Sequence, residues 1–246
     1  MGEIIAVLSG KGGTGKTSVC AGVATALAQD GKRVLCIDCD VGLRNLDISL
    51  GMSDGSSLSF VDVCSGGYPL EDAAVHPDFS TLQFLTAPMN VGADAVDPDA
   101  FGEMLHRAKL QFDYILLDAP AGVGTGFRLA STDADRFLLV TGSSPAAIRD
   151  ATRTGELLEL MGKTNVRLIV NRVRKKMFSA LSITVDDVMD AAGLPLLGIV
   201  PEDQNVILAA AFGTPLLKRS PRGAAASACK RIAKRIQGIP APIRIR

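Results

Sequence analysis

Residues 4–18 constrain this chain more than any other stretch. An unbroken apolar run, Ile4-Ile-Ala-Val-Leu8, leads into Ser-Gly10-Lys11-Gly12-Gly13-Thr14-Gly15-Lys16-Thr17-Ser18 and then into an Ala-rich segment of helical composition. Gly10, Gly15, Lys16 and Thr17 satisfy G-x-x-x-x-G-K-[ST] in the strand–loop–helix setting that a phosphate loop requires. Glycines let backbone N–H groups converge on phosphate oxygens, and a helix start favours negative charge there. In such a loop the lysine, here Lys16, reaches the β- and γ-phosphates, and the hydroxyl, here of Thr17, binds Mg²⁺. The segment from Gly10 to Ser18 is therefore read as a nucleotide phosphate cradle.

Similar apolar runs recur at 34–37, 82–86, 114–117, 137–141, 166–170 and 196–200, with helical stretches between them. Near-continuous Ile/Val/Leu runs mark strands buried on both faces, as in a parallel sheet. Their alternation with helices predicts an α/β fold, a doubly wound, mainly parallel sheet flanked by helices, with ligands at the carboxyl ends of the strands. One such domain over 1–237 accounts for most of the 246 residues, followed by a short tail at 238–246, and 51–57 reads as a loop. No apolar run nears the roughly 20 residues of a membrane span, and Met-Gly-Glu leads straight into the first strand with no room for a signal peptide. A cytoplasmic protein is expected. Cys20, Cys36, Cys39, Cys64 and Cys229 are irregularly spaced and read as thiols. Cys36 and Cys39 form C-x-x-C, but residues three apart on a strand face opposite ways, which disfavours a shared metal.

Four further elements fall at strand ends. The second run opens into Asp38-Cys-Asp40-Val-Gly-Leu-Arg-Asn-Leu-Asp47, two carboxylates where acidic groups can serve a Mg²⁺–phosphate centre. The fourth, Tyr114-Ile-Leu-Leu-Asp118-Ala-Pro-Ala-Gly122, has the apolar run and aspartate of a Walker B element. Asn171-Arg172 follows the sixth run, and Pro201-Glu202-Asp203-Gln-Asn-Val206 follows the seventh.

Taken in order, K-G-G-T-G-K-T, D-x-D-x-G-L-R-N-L-D, D-x-P-A-G, N-R and P-E-D-Q-x-V resemble the MinD family, within the MinD/ParA class of deviant Walker A ATPases. The resemblance runs to about Leu217. It implies that Lys11 contacts phosphates across an ATP-bound homodimer, and that Asp40 positions the hydrolytic water. Lys11, Lys16 and Asp40 would carry catalysis, and Thr17, Asp38 and Asp118 would serve Mg²⁺. Gly122 would sense the γ-phosphate. Asn171 and Arg172 would flank adenine, and Pro201, Glu202 and Asp203 would close the base pocket. The segment Thr141-Gly-Ser-Ser-Pro145-Ala-Ala-Ile-Arg149-Asp150 departs from the family pattern by lacking its acidic residue. The family's implied role is placement of the division septum, with a MinC-like inhibitor and a MinE-like or other topological regulator. A DNA-segregation or flagellar-number ATPase of the same superfamily stays open as the alternative.

Charge bears on that alternative. Residues 1–164 carry 12 Lys+Arg and 21 Asp+Glu, whereas 165–246 carry 14 and 5. A basic second part can meet DNA phosphates or anionic lipid, or the two signs can interleave on folding. Within 223–237, Ala225, Cys229, Ile232 and Ile236 share a helical face that predicts packing on the domain. The tail, Gly238-Ile-Pro240-Ala-Pro242-Ile-Arg-Ile-Arg246, is too short and proline-rich for a helix. Its isoleucines and arginines, aided by the basic face at Lys230 to Arg235, predict weak, salt-sensitive contact with anionic lipid at the inner face of the cell membrane.

Overall fold

The computed structural model describes residues 1–53, 57–89, 92–174, 176 and 184–244. Part of the expected loop at 51–57, and Ile245 and Arg246 of the tail, lie outside the described residues. Eight strands form one sheet: β1 (Glu3–Leu8), β2 (Val34–Asp38), β3 (Ala74–Val75), β4 (Leu82–Leu85), β5 (Tyr114–Asp118), β6 (Arg136–Thr141), β7 (Val166–Val173) and β8 (Leu196–Pro201). Their order is β3-β4-β2-β5-β1-β6-β7-β8, parallel throughout except for antiparallel β3. The central strands are buried on both faces, which is why they read as continuous apolar runs.

Every strand expected from the sequence is present. β3 was not foreseen, because two residues of Ala-Val composition carry no periodic signal. β7 runs on through Asn171-Arg172-Val173, with irregular pairing to β8 between Val170 and Val173. The polar pair hides this extension from any reading based on hydrophobicity.

The ten described α-helices are α1 (Lys16–Gln29), α2 (Leu46–Leu50), α3 (Phe60–Cys64), α4 (Pro98–Gln111), α5 (Thr125–Thr132), α6 (Pro145–Leu160), α7 (Val185–Ala192), α8 (Gln204–Ala211), α9 (Leu216–Arg219) and α10 (Ala224–Ile236). One core layer joins α1, α10 and one face of the sheet, and the other joins α4 and α5 to the opposite face. Helix α1 packs on the sheet with α10 and α2 also against it, so it is buried nearly all round rather than along a stripe. Gly22 permits the close crossing, since a Cβ there would stand 2.6 Å from Cys229 Sγ. Cys36 faces the α1 layer, where its thiol meets Cys20, and Cys39 faces the other layer.

Ala225, Cys229, Ile232 and Ile236 are all buried, so α10 packs on the domain as its pattern predicts. Part of the basic side of α10 is already engaged. Arg235 donates to the carbonyls of Leu197 (2.6 Å) and Ala241 (2.8 and 2.6 Å), and Lys230 donates to Pro221 O at 3.1 Å. Those two side chains hold the tail and a loop, while Lys234 on the same helix is exposed. Charges of the two parts of the chain do meet, as in the Lys218–Asp78 ion pair of 2.6 Å.

His76, following β3, anchors α2 from behind. Its Nδ1 accepts the Asp78 N–H (3.0 Å), so its Nε2–H donates to Leu50 O (2.8 Å), and the ring packs edge-on against Phe79. Burial pushes its pKa below the usual histidine value. A depressed histidine contributes stability above its unfolded pKa of about 6.5, and that contribution is lost as pH falls below this value. Replacing His76 by Gln is expected to cost about 1–3 kcal/mol at pH 7.5. The deficit against wild type should shrink at pH 5.5. Thermal melting of both proteins at the two pH values measures it.

Candidate functional site: a nucleotide cleft at the strand ends

The site is assembled by register. Asp38 stands opposite Asp118 where β2 pairs with β5, and Val7 stands opposite Asp118 where β5 pairs with β1. The loop that leaves β1 therefore starts beside two carboxylates. Lys16, the first residue of α1, places Nζ 2.5 Å from Asp118 Oδ1 and 3.4 Å from Thr17 Oγ1. Lys16 is 6% exposed, Asp118 1% and Asp38 0%. Asp38 Oδ1 accepts the Asp40 N–H (2.9 Å), and Oδ2 accepts the Leu46 N–H (3.1 Å), which begins α2.

The buried ammonium pairs with Asp118, while Asp38, opposite it in register, is held by backbone N–H donors alone. Burial raises the Asp118 pKa against the opposing pull of Lys16. Burial, and after it the charge of Asp118, pushes Asp38 up to about 7. An added cation relieves both effects. Thr17, Asp38 and Asp118 offer only hard oxygen donors, the set that suits Mg²⁺ beside phosphate oxygens. The chemistry of the donor set thus fits the ion. Within the loop, Thr14 Oγ1 is buried without a hydrogen-bond partner, as is Ser9 Oγ just before it. Such orphaned hydroxyls fit a cradle built for a polar ligand.

Behind the loop opens a cleft of about 760 Å³. Its lining includes Gly13, Gly15 and Ser18 of the loop together with Asn171, Arg172, Pro201, Glu202 and Asp203. The structure therefore brings together both groups of residues picked from the sequence. Lys11 and Gly12 are exposed at the loop tip, next to exposed Gly13. Asp40 is half-buried, one residue beyond the Cys39 that ends the buried run.

Several of these residues hold partners that their sequence did not announce. The Gly122 N–H donates to Ser9 O at 3.0 Å, tying the segment after β5 to the loop. Asp203 caps α8 through the Asn205 N–H (2.9 Å) and reaches the Ala225 N–H of α10 (3.1 Å). Burial works to raise its pKa, but these N–H donors outweigh burial and hold it below the usual value. Asp203 thus joins two helix starts at the rim of the cleft. Arg174 also lines the cleft and pairs with Glu202, with Nη2 2.8 Å from Oε1. Sequence reasoning missed Arg174, which lies just beyond the end of β7 and carries no motif of its own.

The fold and the cradle define a P-loop nucleotide-binding protein, and residues 5–216 match the CobQ/CobB/MinD/ParA nucleotide binding domain. The septum site-determining protein MinD of Synechocystis is 38% identical over 244 residues, covering 98% of this chain and 92% of that protein. A solved MinC:MinD cell division protein complex from Aquifex aeolicus superposes with a TM-score of 0.91 at 35% identity, covering 99% of this chain and 98% of that one. MinD from Pyrococcus horikoshii, solved with Mg-ADP, gives 0.84 at 30% identity, covering 96% of each chain. The chain belongs to the MinD family of cell-division ATPases, and it uses ATP and Mg²⁺. Among the described residues no helix is long and apolar enough to cross a membrane.

Gly15 is where the backbone is most demanding. It adopts φ +83° at the start of α1, and a Cβ there would fall on the Asn171 amide nitrogen. Gly15→Ala should cost about 1–2 kcal/mol from the left-handed backbone alone. It should also displace Asn171 and abolish nucleotide binding. Urea unfolding, and titration with a fluorescent ATP analogue, measure the two effects.

Proposed function

We propose that this chain is an Mg-ATP-driven dimerising switch that helps place the division septum. The observation that carries the reading is the buried Lys16–Asp118–Asp38 constellation beneath an exposed Lys11. Lys16 binds the β- and γ-phosphates, with the loop N–H groups from Gly10 to Ser18 around them. Thr17, Asp38 and Asp118 hold the Mg²⁺, which offsets the negative charge of the phosphates when bound. Asp40 accepts a hydrogen bond from the attacking water and orients it, so that catalysis is positioning plus electrostatic stabilisation. Lys11, at the surface, reaches the phosphates held by a second copy. Hydrolysis then releases the pair.

Gly122 belongs to the segment that responds to the phosphates, through its link to Ser9. Pro201, Glu202 and Asp203 form the far wall of the adenine pocket. A MinC-like inhibitor is the partner we favour, supported by the MinC:MinD complex of the Aquifex relative. A MinE-like regulator, and weak anionic-lipid contact by the tail at the inner face of the membrane, complete the reading. The septum-determining relatives favour it over a DNA-segregation or flagellar role.

Two variants separate the steps. Lys11→Ala should retain ATP binding but lose ATP-dependent dimerisation, read by light scattering with and without nucleotide. Normal dimerisation would remove Lys11 from its assigned role. Asp40→Ala should bind ATP and dimerise, with phosphate release reduced by about two orders of magnitude or more. A normal rate in a phosphate-release assay would exclude the water-orienting role.

A further inference from the structure

The end of β7 grips the phosphate loop from behind. Asn171 Nδ2 donates to Thr14 O at 2.7 Å, and Arg172 Nη1 donates to Gly13 O at 2.9 Å. Two adjacent side chains on one strand thus hold two adjacent carbonyls of a loop more than 150 residues away in the chain. Adjacent residues of a regular strand point to opposite faces, so a regular strand would not deliver both. The irregular pairing between Val170 and Val173 changes the local geometry, and Arg172 sits there at φ +57°. A non-glycine residue in that region is strained, and such strain collects at functional sites.

The carbonyls matter because of what lies across each peptide plane. In a planar trans peptide, the C=O of one residue and the N–H of the next point in opposite directions. Holding Gly13 O towards β7 turns the Thr14 N–H away from β7. Holding Thr14 O turns the Gly15 N–H the same way. We propose that Asn171 and Arg172 are positioning residues for the phosphate loop, fixing the Thr14 and Gly15 N–H groups in the orientation that receives phosphate oxygens. This rests on the reading of the loop as an ATP site, and it gives the pair a role distinct from flanking the base. It also explains why residue 15 is glycine on this side of the loop. The space a Cβ would take belongs to the Asn171 amide.

Inorganic tripolyphosphate, which has no base, separates the two roles. Arg172 is exposed, and glycine suits its backbone, so Arg172→Gly removes the guanidinium without harming the fold. Its melting temperature should equal or exceed that of wild type. Its dissociation constants for Mg-tripolyphosphate and for Mg-ATP, by isothermal titration, should both rise by about tenfold, the worth of one charge-assisted hydrogen bond. Arg172→Lys, which can still donate to Gly13 O, should recover part of both. A loss confined to Mg-ATP, with tripolyphosphate binding within twofold of wild type, would assign Arg172 to the base and overturn the proposal. Wild-type protein that binds Mg-ATP but not tripolyphosphate would overturn it too, by showing that affinity does not reside in the loop. Wild-type protein that binds neither would bring down the ATP-site reading itself.

Discussion

Much of this structure is arranged around one lysine paired with a carboxylate out of water, with a second buried carboxylate beside that one. Removing an ammonium or carboxylate from solvent costs on the order of several kcal/mol per ion, and mutual attraction repays it only when the geometry is good. Here β1, β2 and β5 supply that geometry by register, because parallel neighbours end together and bring Asp38 and Asp118 side by side. With two carboxylates and one ammonium the cluster is one positive charge short of balance, and burial, followed by the charge of Asp118, pushes the Asp38 pKa up. A divalent cation is the natural complement to that deficit, and a triphosphate is the natural complement to the loop in front of it. The apolar layers on both faces of the sheet tolerate the imbalance, since they hold the strand ends in place whether or not the charges are matched.

Two lysines in the same short loop sit in opposite environments. Lys16 is sequestered as the first residue of α1, whereas Lys11 projects from the tip. A buried ammonium has a fixed direction set by its partners. An exposed one keeps its rotamer freedom and its hydration until something binds it. One loop can therefore combine a permanent internal contact with a surface charge that is free to meet a second molecule.

How much of this could be read from the chain depends on the range of the interactions. The central strands were legible because burial on both faces writes itself into consecutive residues. The cradle was legible because its glycines and Lys16 lie within a few positions of each other. Contacts that cross the fold were not. That Asp203 joins two helix starts, that the Gly122 N–H meets Ser9, and that Asn171 holds Thr14 are facts of three-dimensional proximity. The residues at either end carry no mark of them. The extension of β7 was missed for a related reason, since Asn171 and Arg172 break the apolar run while the backbone continues. Arg235 shows the converse error. Its position on an amphipathic helix suggests a solvated charge, yet it is committed to backbone carbonyls.

That commitment has a consequence for how the molecule behaves in a crowded solution. β8 lies at the margin of the sheet, and a strand in that position can template unwanted pairing with another chain. Pro242, Ile243 and Arg244 lie against Leu197, Gly198 and Ile199, with Arg235 fastening the approach through Ala241. Prolines at 240 and 242 have no N–H to offer, so the covering segment shields the margin without becoming a new template itself. A margin covered in this way is less open to pairing with another chain than a bare edge strand.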